Sequence, residues 1–171
     1  MDKINILIAE DHKLTREAWS FVLNSDPRFH VISECGNADE AVNEAKAKNP
    51  HVVLMDINME PFSGFVATER IRVESPSSKI IGISMDTNPE YAIKMFKMGA
   101  VGYLTKNSSR EEMINAVLGV NRGTKYICQE IKDNISDQFL NAKGSNPNLN
   151  SLTRRKYKLL LPLPMGFHPE E

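Results

Sequence analysis

HVVLMD, residues 51–56, runs through four consecutive apolar residues and stops on a carboxylate. A short apolar run with β-branched residues and no alternation is the pattern of a strand covered on both faces. INILIA (4–9) and KIIGIS (79–84) read the same way, and HVISEC (30–35) and VGYLT (101–105) complete a set of five strand candidates. The segments between them are helical in character. Residues 14–24, LTREAWSFVLN, place Leu14, Ala18, Phe21 and Val22 on one stripe, and 38–48, ADEAVNEAKAK, are rich in helix formers. Residues 63–73 and 89–98 read similarly. Within 108–121, Ser108 precedes Glu111 and Ser109 precedes Glu112, so either serine can open a capping box, and Met113, Val117 and Val120 follow as an apolar stripe. Strands alternating with helices along the chain predict an α/β fold with a doubly wound parallel sheet.

Beyond residue 122 the pattern changes. Residues 126–141, YICQEIKDNISDQFLN, predict one more amphipathic helix, with Ile127, Ile131, Ile135 and Phe139 recurring every fourth residue. KGSNPNLNS (143–151) reads as a polar linker. The 171 residues therefore divide into a domain of ordinary size and an appendage. With 41% hydrophobic and 25% charged residues the composition is that of a globular protein rather than a disordered one. A net charge of -1 offers no overall attraction for nucleic acid or membrane, so such a partner needs a local patch. Cys35 and Cys128 sit in no CxxC or Cys/His cluster, which excludes a zinc or dithiol motif and fits reduced thiols. No stretch approaches the roughly 20 apolar residues of a membrane span and no signal peptide is visible, so a cytoplasmic location is expected.

Ligands of an open α/β sheet bind outside the carboxyl ends of its strands. Glu10 and Asp11 follow the first predicted strand, Asp56 ends the third, Ser84 ends the fourth, and Lys106 lies just past the fifth. Each has an ordinary structural explanation when taken alone. An acidic pair caps a helix, an aspartate at a strand end makes a turn, and a loop lysine is solvated. Together they fit one task, phosphoryl transfer to a carboxylate. Crowded carboxylates call for a cation, and Mg²⁺ takes one or two of them with other oxygens and water. An ammonium and a hydroxyl then serve the transferring phosphoryl oxygens. On this reading Asp56 is the nucleophile and becomes an aspartyl phosphate.

Over roughly residues 4–122 the chain resembles the receiver domains of two-component response regulators. The resemblance is carried by IAED (8–11), by MDINM (55–59) with Gly64 eight residues after Asp56, by ISMD (83–86) and by MGAVGYLTK (98–106). It implies a flavodoxin-like five-stranded sheet in the order 2-1-3-4-5, followed here by a C-terminal linker helix. It also implies that Asp56 is the phosphoacceptor, with Ser84 and Lys106 at the phosphoryl group. Mg²⁺ is then reached by Asp11, Asp56 and the backbone carbonyl of Asn58, with Glu10 acting through water. Tyr103 falls at the family's aromatic switch position, although a buried strand tyrosine is the plain structural alternative. The implied partners are a sensor histidine kinase and, through surface helices, a second copy of the chain. Many receivers read D-x-x-M-P. Here Glu60 intervenes before Pro61, so an altered loop with an intact site is expected.

SLTRR (151–155) resembles the opening of a NarL/LuxR-type helix-turn-helix effector, and MGF (165–167) resembles the phrase between its first two helices. Lys156, Pro162 and Pro164 break the pattern, since proline inside a helix costs about 3 kcal/mol or more. The expected division is a receiver over 1–122, a linker helix and polar linker over 123–151, and an effector remnant over 152–171 not folded as such. DNA binding is then expected only through a complete effector, with Arg154, Arg155, Lys156 and Lys158 at most a weak phosphate attraction. Two other classes share parts of the pattern. A metal-dependent phosphatase with an aspartate nucleophile carries it after the first strand, paired with a second aspartate two residues on. A flavin or nucleotide binder needs a phosphate loop at a helix N-terminus, whereas AEDHKLT (9–15) is acidic.

Overall fold

The computed structural model describes residues 1–142 and 154–160. Helices and strands alternate as β1 (Ile4–Ala9), α1 (Lys13–Asn24), β2 (Phe29–Cys35), α2 (Ala38–Lys48), β3 (Val52–Asp56), α3 (Gly64–Glu74), β4 (Lys79–Ser84), α4 (Pro89–Met98), β5 (Gly102–Thr105), α5 (Arg110–Asn121), β6 (Tyr126–Ile127) and α6 (Gln129–Ala142). The strands form one parallel sheet in the order β2-β1-β3-β4-β5-β6. Every residue of β3 is buried, as is nearly all of β4, because helices cover both faces. Strand β2 lies at the edge and alternates between buried and exposed positions. Helices α2, α3, α4 and α6 pack successively against one another along one side. On α1, Ser25 at the C-cap meets Arg110 of α5. No helix among the described residues is long and apolar enough to cross a membrane.

Local chemistry explains several element ends. Asn37, Asn88 and Ser109 each accept a backbone N–H of the following first turn, at Glu40, Glu90 and Glu112. Ser109 is therefore the cap of α5, while the Ser108 hydroxyl turns to Thr105. Gly99 ends α4 in the left-handed region at φ 112°, where a side chain would be strained. Gly64 has a different role. A Cβ there would lie 2.2 Å from the carbonyl oxygen of Asp56, so glycine lets the start of α3 press against the end of β3.

Three expectations are corrected. The sheet has six strands rather than five, because Tyr126 and Ile127 pair with Gly102 and Tyr103 at the free edge of β5. The predicted helix over 126–141 accordingly starts at Gln129. Ile127 is buried by strand pairing, while Ile131 and Ile135 keep the helical stripe. The inner face of α1 is also rotated from the predicted one. Trp19, Ser20 and Leu23 face inward, while Leu14 and Phe21 are 80% and 77% exposed. The large indole takes the core position, and buried Ser20 is satisfied by donating to Glu34 Oε1 at 2.7 Å.

Residues 154–157 form a helical turn whose Tyr157 is buried. Its hydroxyl meets Gln138 Oε1, and its ring stands edge-on to Phe139 at 5.8 Å. The predicted linker over 143–151, Pro162, Pro164 and the MGF phrase lie outside the described residues.

Candidate functional site

The carboxyl ends of β1, β3, β4 and β5 bring the predicted residues to one edge of the sheet. Asp56 closes β3 with no exposed surface, and Glu10, one residue past β1, is equally buried. Between them lies Lys106, whose Nζ is 2.8 Å from Glu10 Oε2 and 3.3 Å from Asp56 Oδ2. The Glu10 contact is an ion pair without a well-directed hydrogen bond, which leaves Oε2 an orphaned acceptor in the interior. Asp11 is more open and reaches His12 Nδ1 at 2.9 Å. The exposed Asn58 donates its backbone N–H to Asp56 Oδ1 at 3.2 Å. Ser84, fully buried, accepts the Asp86 N–H at 3.0 Å. Tyr103 lies behind it in β5, buried, with its hydroxyl donating to the Asp86 carbonyl at 3.3 Å.

The electrostatics follow from this crowding. Burial first, and then the neighbouring Glu10 charge, push the Asp56 carboxyl up from 3.8 to about 6, against the opposing pull of Lys106. Burial works against the Lys106 charge, but its contacts with Glu10 and Asp56 outweigh that, and its pKa is raised. Partial burial of Asp11 is likewise overcome by its link to Glu10 and by His12, so its carboxyl is lowered. Burial raises the Tyr103 phenol and keeps it a neutral donor.

His12 was not singled out by the sequence reading. Its ring lies within reach of both Glu10 and Asp11, and contact with Glu10 raises its pKa. One ligand atom from each of Glu10, Asp11, His12 and Asp56 can be chosen so that all lie within 4.8 Å of one another. The only advance signal was adjacency to the acidic pair. Arg16 was also missed, and it supports the site by donating to the Glu10 carbonyl at 2.6 Å. Trp19 places its ring centroid 5.8 Å from Lys106 Nζ. The anticipated loop alteration is a cis Glu60–Pro61 bond, with the Glu60 carbonyl accepting from Ala38 N at 2.8 Å.

Chemically, the edge is a carboxylate cluster with one ammonium among it and a hydroxyl on its rim. The three carboxylates supply oxygen donors of the kind hard cations take, and Glu10 Oε2 is a buried oxygen still lacking a directed partner. The acidic cluster therefore fits a divalent cation such as Mg²⁺.

Comparison with known proteins points the same way. Residues 6–118 match the model of the response regulator receiver domain. The oxygen regulatory protein NreC of Staphylococcus carnosus is 30% identical, in an alignment covering 98% of this chain and 80% of that protein. A LuxR-family two-component response regulator from Aurantimonas superposes with a TM-score of 0.77 at 27% identity, over 81% of this chain and 99% of the other. The signal receiver domain of NarL from Mycobacterium tuberculosis gives 0.69 at 28% identity, over 72% of this chain and 99% of that one.

Proposed function

The chain belongs to the response regulator receiver family, of the NarL/LuxR type, and from that premise we propose that Asp56 accepts a phosphoryl group from the phosphohistidine of a sensor kinase. One observation carries the assignment: the buried Asp56 carboxylate lies beside Lys106, within one cluster with Glu10 and Asp11. An Asp56 oxygen attacks phosphorus, the bond to the histidine nitrogen breaks, and the imidazole leaves with that electron pair. Lys106 is placed to follow the phosphoryl oxygens as charge builds on them, and the Ser84 hydroxyl to donate to another. Asp11, Asp56 and the Asn58 carbonyl would hold Mg²⁺ directly, with Glu10 reached through water. The ion, when bound, neutralises charge on the phosphoryl oxygens and favours the ionised Asp56. Tyr103 is the readout: it is already buried and bonded to the Asp86 carbonyl, and Ser84 holds the N–H of that same residue, so a turn of Ser84 toward the phosphoryl group is felt at the ring.

Only its own aspartyl phosphorylation and dephosphorylation are catalysed in this reading. The phosphatase alternative gives way because the candidate nucleophile follows β3, and the nucleotide binder because the first loop is acidic. The receiver spans 1–122, with the linker helix and polar linker over 123–151 and a remnant of a helix-turn-helix effector over 152–171. The pairing of β6 with β5 ties the first part of that linker to the receiver's sheet. Output runs to DNA through a complete LuxR-type effector, and a homodimer through surface helices fits the same scheme.

The test is incubation with Mg²⁺ and acetyl phosphate followed by intact mass. A single phosphoryl adduct is expected on the native chain and none on Asp56→Asn. A folded native protein that stays unmodified would refute the assignment.

A further inference from the structure

We propose that His12 is a ligand of the cation site, and that the site therefore takes a transition-metal dication, held through nitrogen as well as oxygen, ahead of Mg²⁺. The proposal rests on the acidic cation site described above and names the class of ion it selects.

His12 directly precedes α1 and occupies its N-cap. A polar side chain there ordinarily turns forward and accepts a backbone N–H of the first turn. His12 makes no such bond. Its ring lies over the acidic pair instead, with Nδ1 3.0 Å from Glu10 Oε1 and 2.9 Å from Asp11 Oδ1. The backbone N–H of His12 donates to the same Glu10 Oε1 at 2.9 Å, so one short turn fixes both the carboxylate and the imidazole. In the tautomer with its proton on Nε2, Nδ1 presents a lone pair to the space the carboxylate oxygens face. The side chain is 73% exposed, so water can serve the Nε2 proton, as it does for many metal-bound imidazoles.

The spacing suits an ion. Ligand atoms on opposite sides of a dication with bonds of ~2.1 Å stand about 4.2 Å apart. One ligand atom each from Glu10, Asp11, His12 and Asp56 lies within 4.8 Å of all the others, so a small inward shift closes the set. A second observation points to the same occupant: Glu10 Oε2 is buried without a directed hydrogen-bond partner. Three carboxylates against the Lys106 ammonium leave two negative charges, which a dication beside a neutral imidazole balances. Carboxylates alone suit Mg²⁺, a hard ion that takes oxygen and keeps its water. An imidazole among them shifts the ranking toward ions such as Ni²⁺ and Zn²⁺.

The test uses the full chain and His12→Asn. Asparagine is a favoured N-cap residue, so the helix start is kept while the side chain offers a metal only oxygen. Affinities for Mg²⁺, and for Ni²⁺ in competition with Mg²⁺, are measured by calorimetry, and the Ni²⁺-loaded chains are examined by X-ray absorption. An all-oxygen site also binds Ni²⁺ above Mg²⁺, so the deciding quantity is the change in that preference. Removing a purely electrostatic neighbour shifts both ions together, whereas removing a nitrogen ligand weakens Ni²⁺ selectively. The expected fall in preference is at least about tenfold, since even loss of a group that supports a ligand costs roughly 10- to 100-fold. Imidazole scattering is expected in the native spectrum and not in that of the variant. An unchanged preference, or a native spectrum without imidazole, overturns the assignment of His12. Intact mass of the native chain after acetyl phosphate and Mg²⁺ reads the phosphoacceptor claim separately. An adduct beside an unchanged preference sinks His12 alone, and imidazole-bound Ni²⁺ without any adduct sinks the phosphoacceptor alone.

Discussion

Replacing Asp56 by asparagine should make the metal-free protein more stable at neutral pH. The native carboxyl titrates at about 6 rather than 3.8, because it is buried beside Glu10. Between those two values the folded protein binds the proton that the unfolded chain has released. The stabilisation is therefore present below about pH 4 and is lost as pH rises through about 6. Each tenfold of proton affinity is about 1.4 kcal/mol, so the ionised Asp56 costs the fold ~3 kcal/mol at pH 7. The attraction of Lys106 is already contained in that balance. Asparagine keeps the shape and an acceptor for the Asn58 N–H, and Lys106 retains Glu10 at 2.8 Å. Much of the cost should be recovered, a rise of roughly 6–12 °C in Tm for a chain of this size. Urea unfolding in EDTA at neutral pH should show the variant's midpoint shifted upward. The gain should vanish near pH 4, where both side chains are neutral, and Mg²⁺ should narrow it by stabilising the native protein more than the variant. A variant no more stable at neutral pH, or a gain that survives at pH 4, would show that the crowding of Asp56 has been misjudged.

Three further outcomes follow from the same geometry. Gly64→Ala puts a Cβ 2.2 Å from the Asp56 carbonyl oxygen and should destabilise the fold by about 3 kcal/mol, measured by urea titration, with loss of phosphoryl uptake. Mg²⁺ affinity, followed by calorimetry, should fall as pH drops through about 6, since the cation and the proton compete for Asp56; an affinity flat down to about pH 5 would contradict the assignment of Asp56 as a ligand. Phe21→Ser should change stability by no more than about 0.5 kcal/mol, because that ring is 77% exposed, whereas a core position would cost several times more.

The strands and the site were legible for a common reason. Buried parallel strands are uninterrupted apolar runs, so a carboxylate, hydroxyl or ammonium at the end of one marks the sheet edge where ligands bind. Asp56, Ser84 and Lys106 could be placed on that edge from their positions after HVVLMD, KIIGIS and VGYLT. Strand β6 could not be read, because two residues carry no period and only the free edge of β5 makes Tyr126 and Ile127 extended. The α1 face was misread because Leu14, Ala18, Phe21 and Val22 and the pair Trp19 and Leu23 both fit helical spacing. Packing against β1 and β2 decides between them, and it favours the indole. His12 carried no pattern of its own; its proximity to Glu10 and Asp11 arises from the turn between β1 and α1.

The placement of Trp19 gives this protein an optical property. It is the chain's single tryptophan, and its ring faces the Lys106 ammonium at 5.8 Å. Indole emission responds to a charge at that range, and on the proposed reading Lys106 is the group that anionic oxygens would meet. The native chain therefore carries its own fluorophore beside the candidate site, and a change in the Lys106 contact should be readable in the emission without a label.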